Sequence, residues 1–105
     1  QLSFLAPAAR EVSAQLNGWA ELPRALCALR AATMLDLGGN QLSDLPPPLA
    51  QLDALQRLYL NDNRLETLPA PVCSLAELRW LYLANNRLAT LPAALRQLRQ
   101  LRRLD

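Results

Sequence analysis

The sequence predicts an α/β solenoid, a stack of short coils in which one strand per coil pairs into a parallel sheet. Leucine fills 27 and alanine 17 of the 105 positions, and the same residue types recur at steps of 23. Within each repeat, leucines alternate about a single intervening residue, as in Leu58-Tyr59-Leu60, which is the period of a strand with one buried face. A coil this short has no core of its own, so neighbouring coils must stack to bury their leucines.

Asparagine and the Leu-Pro pair mark the repeat most clearly. The recurring asparagines are Asn17, Asn40, Asn63 and Asn86. The recurring pairs are Leu22-Pro23, Leu45-Pro46, Leu68-Pro69 and Leu91-Pro92. These matches predict a single domain over residues 1–105, with repeats at about 9–31, 32–54, 55–77 and 78–100 and a partial repeat at 101–105. Residues 1–8 do not fit the repeat, and we expect them to cap the open end of the first coil.

Each recurring residue type has a physical role in such a coil. The asparagine amide can donate to and accept from the backbone of neighbouring coils where the chain turns inward. The proline fixes its own φ and keeps the preceding residue extended, so it begins the return segment. The apolar pair that follows, such as Val72 and Leu75, is expected to pack a short irregular or 3₁₀ segment against the sheet.

The full pattern, LxxLxLxxNxLxxLPxxLxxL, resembles the leucine-rich-repeat family in its 23-residue Leu-Pro form. The first unit is degenerate, with Val12 and Ala14 at the strand positions and Trp19 where later units have leucine. The resemblance implies a right-handed leucine-rich-repeat superhelix, with a parallel β-sheet on the concave face and irregular or 3₁₀ turns on the convex side. It also implies a protein-protein interaction module, a scaffold without enzymatic activity, that binds its partner protein through the concave face.

The residues between the strand leucines define that candidate binding face. They include three of the five aromatic residues of the chain. The predicted partner-binding residues are Met34, Asp36, Arg57, Tyr59, Asn61, Trp80, Tyr82 and Arg103. Exposed aromatic and arginine side chains are typical of binding hot spots, and an exposed Trp80 has no role in the fold. The tyrosines fit strand propensity alone equally well. We expect Tyr59 and Tyr82 to lie side by side, and Asp36 to pair with Arg57 across strands.

Charge and missing motifs exclude several functions. All 11 positive charges are arginine, 9 residues are acidic, the net charge is +2, and there is no histidine. The composition therefore excludes imidazole chemistry and carries no bulk signal for nucleic acid. No glycine-rich phosphate motif or paired-cysteine metal motif is present, so we expect no cofactor and no metal. Four arginines near the C-terminus, Arg96, Arg99, Arg102 and Arg103, leave an anion-binding surface as an alternative to a simple solvated face.

Cys27 and Cys73 lie two repeats apart. Two strand spacings place them about 10 Å apart, farther than the ~7 Å between Cα atoms that a disulfide allows. We therefore expect two free, buried thiols. With no glycosylation sequon and no signal peptide in the sequence, this favours an intracellular, cytoplasmic location. No apolar run is long enough to span a bilayer.

The two ends of the sequence predict a fragment of a longer protein. The chain begins without methionine, and it stops within the motif of a fifth repeat. One alternative is therefore a regulatory or targeting segment of a larger enzyme of the kinase, ubiquitin ligase or GTPase type. Another is end-to-end self-association through the uncapped C-terminal coil.

Overall fold

The computed structural model describes residues 10–98 and 100–104, and it contains one five-stranded parallel sheet. The strands are β1 (Glu11–Ser13), β2 (Met34–Asp36), β3 (Arg57–Tyr59), β4 (Trp80–Tyr82) and β5 (Arg103–Leu104). They follow one another across the sheet in chain order. The register keeps the repeat spacing, since Leu35 pairs with Leu58 and Leu58 pairs with Leu81. The predicted solenoid with a parallel sheet is confirmed, whereas the predicted cap at residues 1–8 lies outside the described residues.

The return segments are short helices that begin directly after the repeated prolines. Three are 3₁₀ helices, at Arg24–Ala28, Pro47–Gln51 and Ala93–Gln97, and the fourth is an α-helical turn, α1 (Ala70–Cys73). Pro23, Pro46, Pro69 and Pro92 precede them with φ between −59° and −70° and extended ψ. Proline therefore sets the entry angle of each segment, as predicted. Within α1, Pro71 is tolerated because a first-turn residue needs no amide donor.

The core lies between the sheet and the return segments and consists mainly of leucine. Leu35, Leu58 and Leu81 of the strands, and Leu49 and Leu75 of the return side, are essentially inaccessible to solvent. Trp19 is half-buried and packs against this core at the position where later coils use leucine. Packing is looser towards the last coil, where Leu88, Leu95, Leu101 and Leu104 are only partly buried and Leu91 is 44% exposed.

The asparagines form the predicted ladder of hydrogen bonds. The Asn63 Oδ1 atom accepts from the Leu42 N–H at 3.0 Å, and its Nδ2 donates to the carbonyls of Leu37 and Leu60 at 3.1 Å. Asn40 and Asn86 make equivalent contacts one coil earlier and one coil later. Each asparagine thus ties its own coil to the preceding one, and buried backbone groups at the turn are satisfied.

Within the part of the chain that the structure describes, no helix combines the length and apolar character that a membrane span requires.

Candidate functional site

The strand register arranges the predicted site residues in two columns across the sheet. One column contains Glu11, Met34, Arg57, Trp80 and the backbone of Arg103, and the other contains Ser13, Asp36, Tyr59 and Tyr82. Along each strand these positions flank the buried residue, so both columns lie on the face opposite the core. The prediction for the side chain of Arg103 falls outside the described part of the structure.

The two tyrosines form a parallel stack. The ring centroids of Tyr59 and Tyr82 are 4.4 Å apart and the ring planes differ by 4°. This distance is close to the spacing of neighbouring strands, because both residues occupy the same repeat position in β3 and β4. The expectation that the rings lie side by side is confirmed. Stacking holds both side chains in one rotamer, so little conformational entropy remains to be lost on binding.

Arg57 and Trp80 form a second stack beside the tyrosines. The guanidinium carbon of Arg57 lies 4.7 Å from the centroid of the Trp80 ring, within cation–π distance. Trp80 is therefore half-buried, not fully exposed as the sequence suggested. The expected pairing of Asp36 with Arg57 was wrong: the arginine turns towards β4, and Asp36 Oδ1 instead accepts the Gly38 N–H at 3.0 Å. We call Arg57, Tyr59, Trp80 and Tyr82 the stacked platform.

A cavity of about 300 Å³ opens beside the platform, beyond the ends of β2 and β3. Its lining residues are Gln15, Leu16, Asp36, Gly38, Gly39, Tyr59, Asn61 and Asp62. The cavity exists because the second coil has Gly38-Gly39 where the third coil has Asn61-Asp62. The sequence predicted Asp36, Tyr59 and Asn61 as partner-binding residues, but not Gln15, Leu16, Asp62 or the two glycines. The sequence does contain a signal for this cavity, because Gly38-Gly39 lacks side chains at two adjacent repeat positions where the next repeat has Asn61-Asp62. We call this cavity the glycine notch.

One repeat position in this region requires a left-handed backbone. Leu16, Gly39, Asp62 and Asn85 all have φ between 60° and 71°. Glycine, aspartate and asparagine suit this conformation, but leucine does not. Leu16 is also 80% exposed. Its side chain lies over Gly39, where an added Cβ would be 2.5 Å from the Leu16 Cδ2 atom. Leu16 therefore forms one wall of the notch and occupies space that only a glycine leaves free.

Among the residues that the structure describes, the C-terminal arginines are not gathered on one surface. Arg96 lies on the last 3₁₀ segment, where its Nε donates to the Ala93 carbonyl at 3.4 Å. Arg102 precedes β5, and its N–H donates to the carbonyl of Arg79 at 2.8 Å, which confirms that these two are neighbours in the stack. Arg99 lies outside the described residues. Among residues 10–98 and 100–104, no three potential metal-ligating side chains come together.

Cys27 and Cys73 are both free and buried, as predicted. Burial raises the pKa of both thiols above the usual value, and the nearby Arg24 only partly opposes this rise at Cys27. A raised pKa lowers the thiolate fraction near neutral pH, and the thiolate is the nucleophile. These cysteines therefore serve as packing residues on the return side of the coils.

We expect both thiols to be alkylated at least ten times more slowly in the native chain at pH 8 than in urea. The buried sulfur atoms are out of reach of the reagent, and few are ionised at that pH. Mass spectrometry of iodoacetamide-treated samples over time measures this directly. Complete modification of native protein within minutes would contradict the assignment.

Comparison with known proteins places these features in a family. The family model described as leucine rich repeat matches residues 30–88 and 53–105. A leucine-rich-repeat protein from Leptospira interrogans is 36% identical over 85% of this chain, with a TM-score of 0.80, and the match covers 23% of that protein. A search of curated proteins returns no significant match.

Two further solved structures are similar. An internalin from Listeria monocytogenes is 29% identical over 81% of this chain and 25% of its own, with a TM-score of 0.68. The leucine-rich-repeat ectodomain of a receptor kinase from Arabidopsis thaliana is 26% identical over 88% of this chain and 52% of its own, with a TM-score of 0.69. The chain thus spans between 23% and 52% of the length of these neighbours. Because the family model covers most of the sequence, and the asparagine ladder, the parallel sheet and the proline-led return segments agree with it, the chain belongs to the leucine-rich repeat family.

Proposed function

We propose that this chain is a protein-protein interaction module that binds a partner protein through its concave sheet face, with the stacked platform at the centre of the contact. Repeat solenoids commonly use their extended concave surfaces for binding. The observation that supports this site is the pair of adjoining stacks, Tyr59 on Tyr82 and Arg57 on Trp80. Tyrosine, tryptophan and arginine are the residue types enriched at interface hot spots.

Preorganisation is the physical advantage of the stacked platform. Four large side chains already hold each other in place, so a partner does not have to order them. None of the four is needed to fill the core, which the alternating leucines of the same strands occupy. Four mutually stacked side chains with apolar ring surface and polar tips suit a protein partner better than a small ligand, since the sheet face is broad and shallow.

Trp80→Ala is expected to raise the dissociation constant for the native partner by about 30-fold, the effect of losing a hot-spot side chain. The loss of unfolding free energy should be only about 1 kcal/mol, because Trp80 is half-buried and loses mainly its contact with Arg57. The partner is first captured from the source cell with the unaltered chain. Its affinity for both variants is then measured by isothermal titration calorimetry.

Arg96→Ala is the matched control, since Arg96 is exposed on the return side, away from the sheet. We expect its affinity to equal that of the unaltered chain. A folded Trp80→Ala variant that binds normally would overturn the proposed site. Equal weakening by Arg96→Ala, together with heparin binding that disappears in added salt, would favour the anion-binding alternative.

We further propose an intracellular location and a place within a longer protein. The first is supported by two buried thiols that form no disulfide. A place within a longer protein is supported by the similar solved structures, which are about two to four times as long as the part of them that matches this chain. They include the ectodomain of a receptor kinase.

A further inference from the structure

We propose that the glycine notch binds a single arginine or lysine side chain of the partner protein, and that this contact adds specificity to the stacked platform. The inference rests on the proposed function, because it requires a partner lying on the concave face. A cavity of about 300 Å³ is at the lower limit of ligand pockets. It is therefore suited to one side chain of a larger molecule and not to a whole ligand.

The walls of the glycine notch fit a long aliphatic stem. Leu16 forms one wall, with 80% of its surface exposed. Tyr59 forms another wall, and Tyr82 stacks on its ring from the β4 side. The other face of the Tyr59 ring is turned towards β2, where Asp36 is the register partner of Tyr59. Arginine and lysine pack their methylene groups on apolar surface of this kind, and a cation is attracted to a tyrosine ring face.

The polar groups of the notch are mainly hydrogen-bond acceptors. Asp36 uses Oδ1 to accept from Gly38 N–H, and Asp62 uses Oδ2 to accept from Asn61 Nδ2 at 2.9 Å. Each carboxylate has a second oxygen that can accept from a ligand. Among the residues that the structure describes, none that lines the notch is cationic, and Arg57, on the same face, lies on Trp80. The charge of the notch therefore complements a guanidinium or ammonium group, which binds carboxylates through charge-assisted hydrogen bonds.

The presence of leucine at position 16 favours a binding role for the notch over a purely structural role for this residue. The other three coils place glycine, aspartate or asparagine at this left-handed position, and any of these would serve the turn at a lower energy. A leucine here strains the backbone and exposes apolar surface to water. Strained residues of this kind concentrate at functional sites, and an apolar wall beside two carboxylates gives Leu16 such a function.

The test uses N-acetyl-arginine amide as a probe, with N-acetyl-citrulline amide as its neutral isostere. Titration into the ¹⁵N-labelled chain is followed by NMR. We expect saturable shifts of the Gly38 and Gly39 amide signals with the arginine probe and no saturable shift with citrulline. The same shifts with both probes, or no saturable shift with arginine, would overturn the proposal.

Two variants separate the contributions of charge and shape. Asp62→Asn keeps a residue that tolerates the left-handed backbone and should weaken probe binding at least fivefold. Asp53→Asn, on an exposed return turn, is the matched control and should leave binding unchanged. Leu16→Asn should weaken probe binding and at the same time raise the midpoint of thermal unfolding. A purely structural Leu16 would show no loss of binding, and that result would contradict its assignment as a wall of the notch.

The probe experiment needs no partner protein, so it can fail independently of the proposed function. If Trp80→Ala abolishes partner binding while the arginine probe does not bind, only the notch assignment is overturned. If the probe binds but Trp80→Ala leaves partner affinity unchanged, the platform is not the site of contact and the notch no longer has the role proposed here.

Discussion

Asn63→Ala is expected to lower the free energy of unfolding by about 2–4 kcal/mol. The substitution removes one amide and leaves the buried N–H of Leu42 without a partner. The carbonyls of Leu37 and Leu60 each lose one donor but keep another, from Asn40 Nδ2 and Asn86 Nδ2 respectively, so each costs only the net value of one hydrogen bond, about 0.5–1.5 kcal/mol. An unsatisfied buried group costs about 1–3 kcal/mol. A domain of this size has a total stability of about 5–15 kcal/mol, so the variant should lose a substantial part of its stability.

Urea denaturation monitored by circular dichroism measures this loss. Asn17→Ala is the matched control because Asn17 occupies the same repeat position at the first coil, where it is exposed and donates to Ala14 and Gln15 of its own coil. We expect a loss of about 1 kcal/mol or less there, the usual net value of a solvent-accessible hydrogen bond. Equal losses for the two variants would show that the asparagine ladder does not stabilise the stack by satisfying buried groups.

Leu58→Ala is expected to destabilise the chain by about 2–5 kcal/mol, the usual range for a fully buried leucine. Leu58 lies in β3, the central strand, and is paired with Leu35 on one side and Leu81 on the other. Its side chain is completely inaccessible. The neighbouring coils cannot close the resulting cavity, because shifting one coil would break the register and the asparagine contacts on both sides.

Leu104→Ala tests the same repeat position at the end of the sheet. Leu104 is only partly buried, so we expect less than half the loss found for Leu58→Ala. Urea titration of both variants, analysed with a common slope, gives the comparison. A larger loss at Leu104 than at Leu58 would show that stability is decided at the last coil and not in the middle of the stack.

Much of the fold could be predicted because each residue of a solenoid contacts its own equivalent in the next coil. The spacing of Asn40, Asn63 and Asn86 therefore predicted contacts as well as a repeat, and the structure confirms those contacts. The same argument predicted that Tyr59 would lie against Tyr82. Register follows from periodicity here, which is not the case for a sheet whose strands are far apart in the sequence.

The side-chain contacts on the binding face could not be predicted from the repeat, because one side chain can contact any of several neighbours. Arg57 lies diagonally from Asp36 and directly beside Trp80 in the register. Its preference for the indole ring depends on rotamers, and on the hydrogen bond that Asp36 makes with Gly38 instead. The glycine notch was not predicted for a related reason. Its volume depends on how the side chains of Leu16 and Tyr59 are placed around the two glycines, and the repeat does not determine that placement.

The sequence by itself determined the solenoid, the parallel sheet, the two columns of outward residues and the absence of a disulfide. It could do so because leucine, asparagine and proline recur at one spacing, and in a stack of coils residues at that spacing contact each other. The tertiary structure decided the pairing of Arg57 with Trp80, the partial burial of Trp80 and the left-handed backbone of an exposed Leu16. These features depend on short-range packing and on rotamers of non-repeating residues, about which the period of the sequence carries no information.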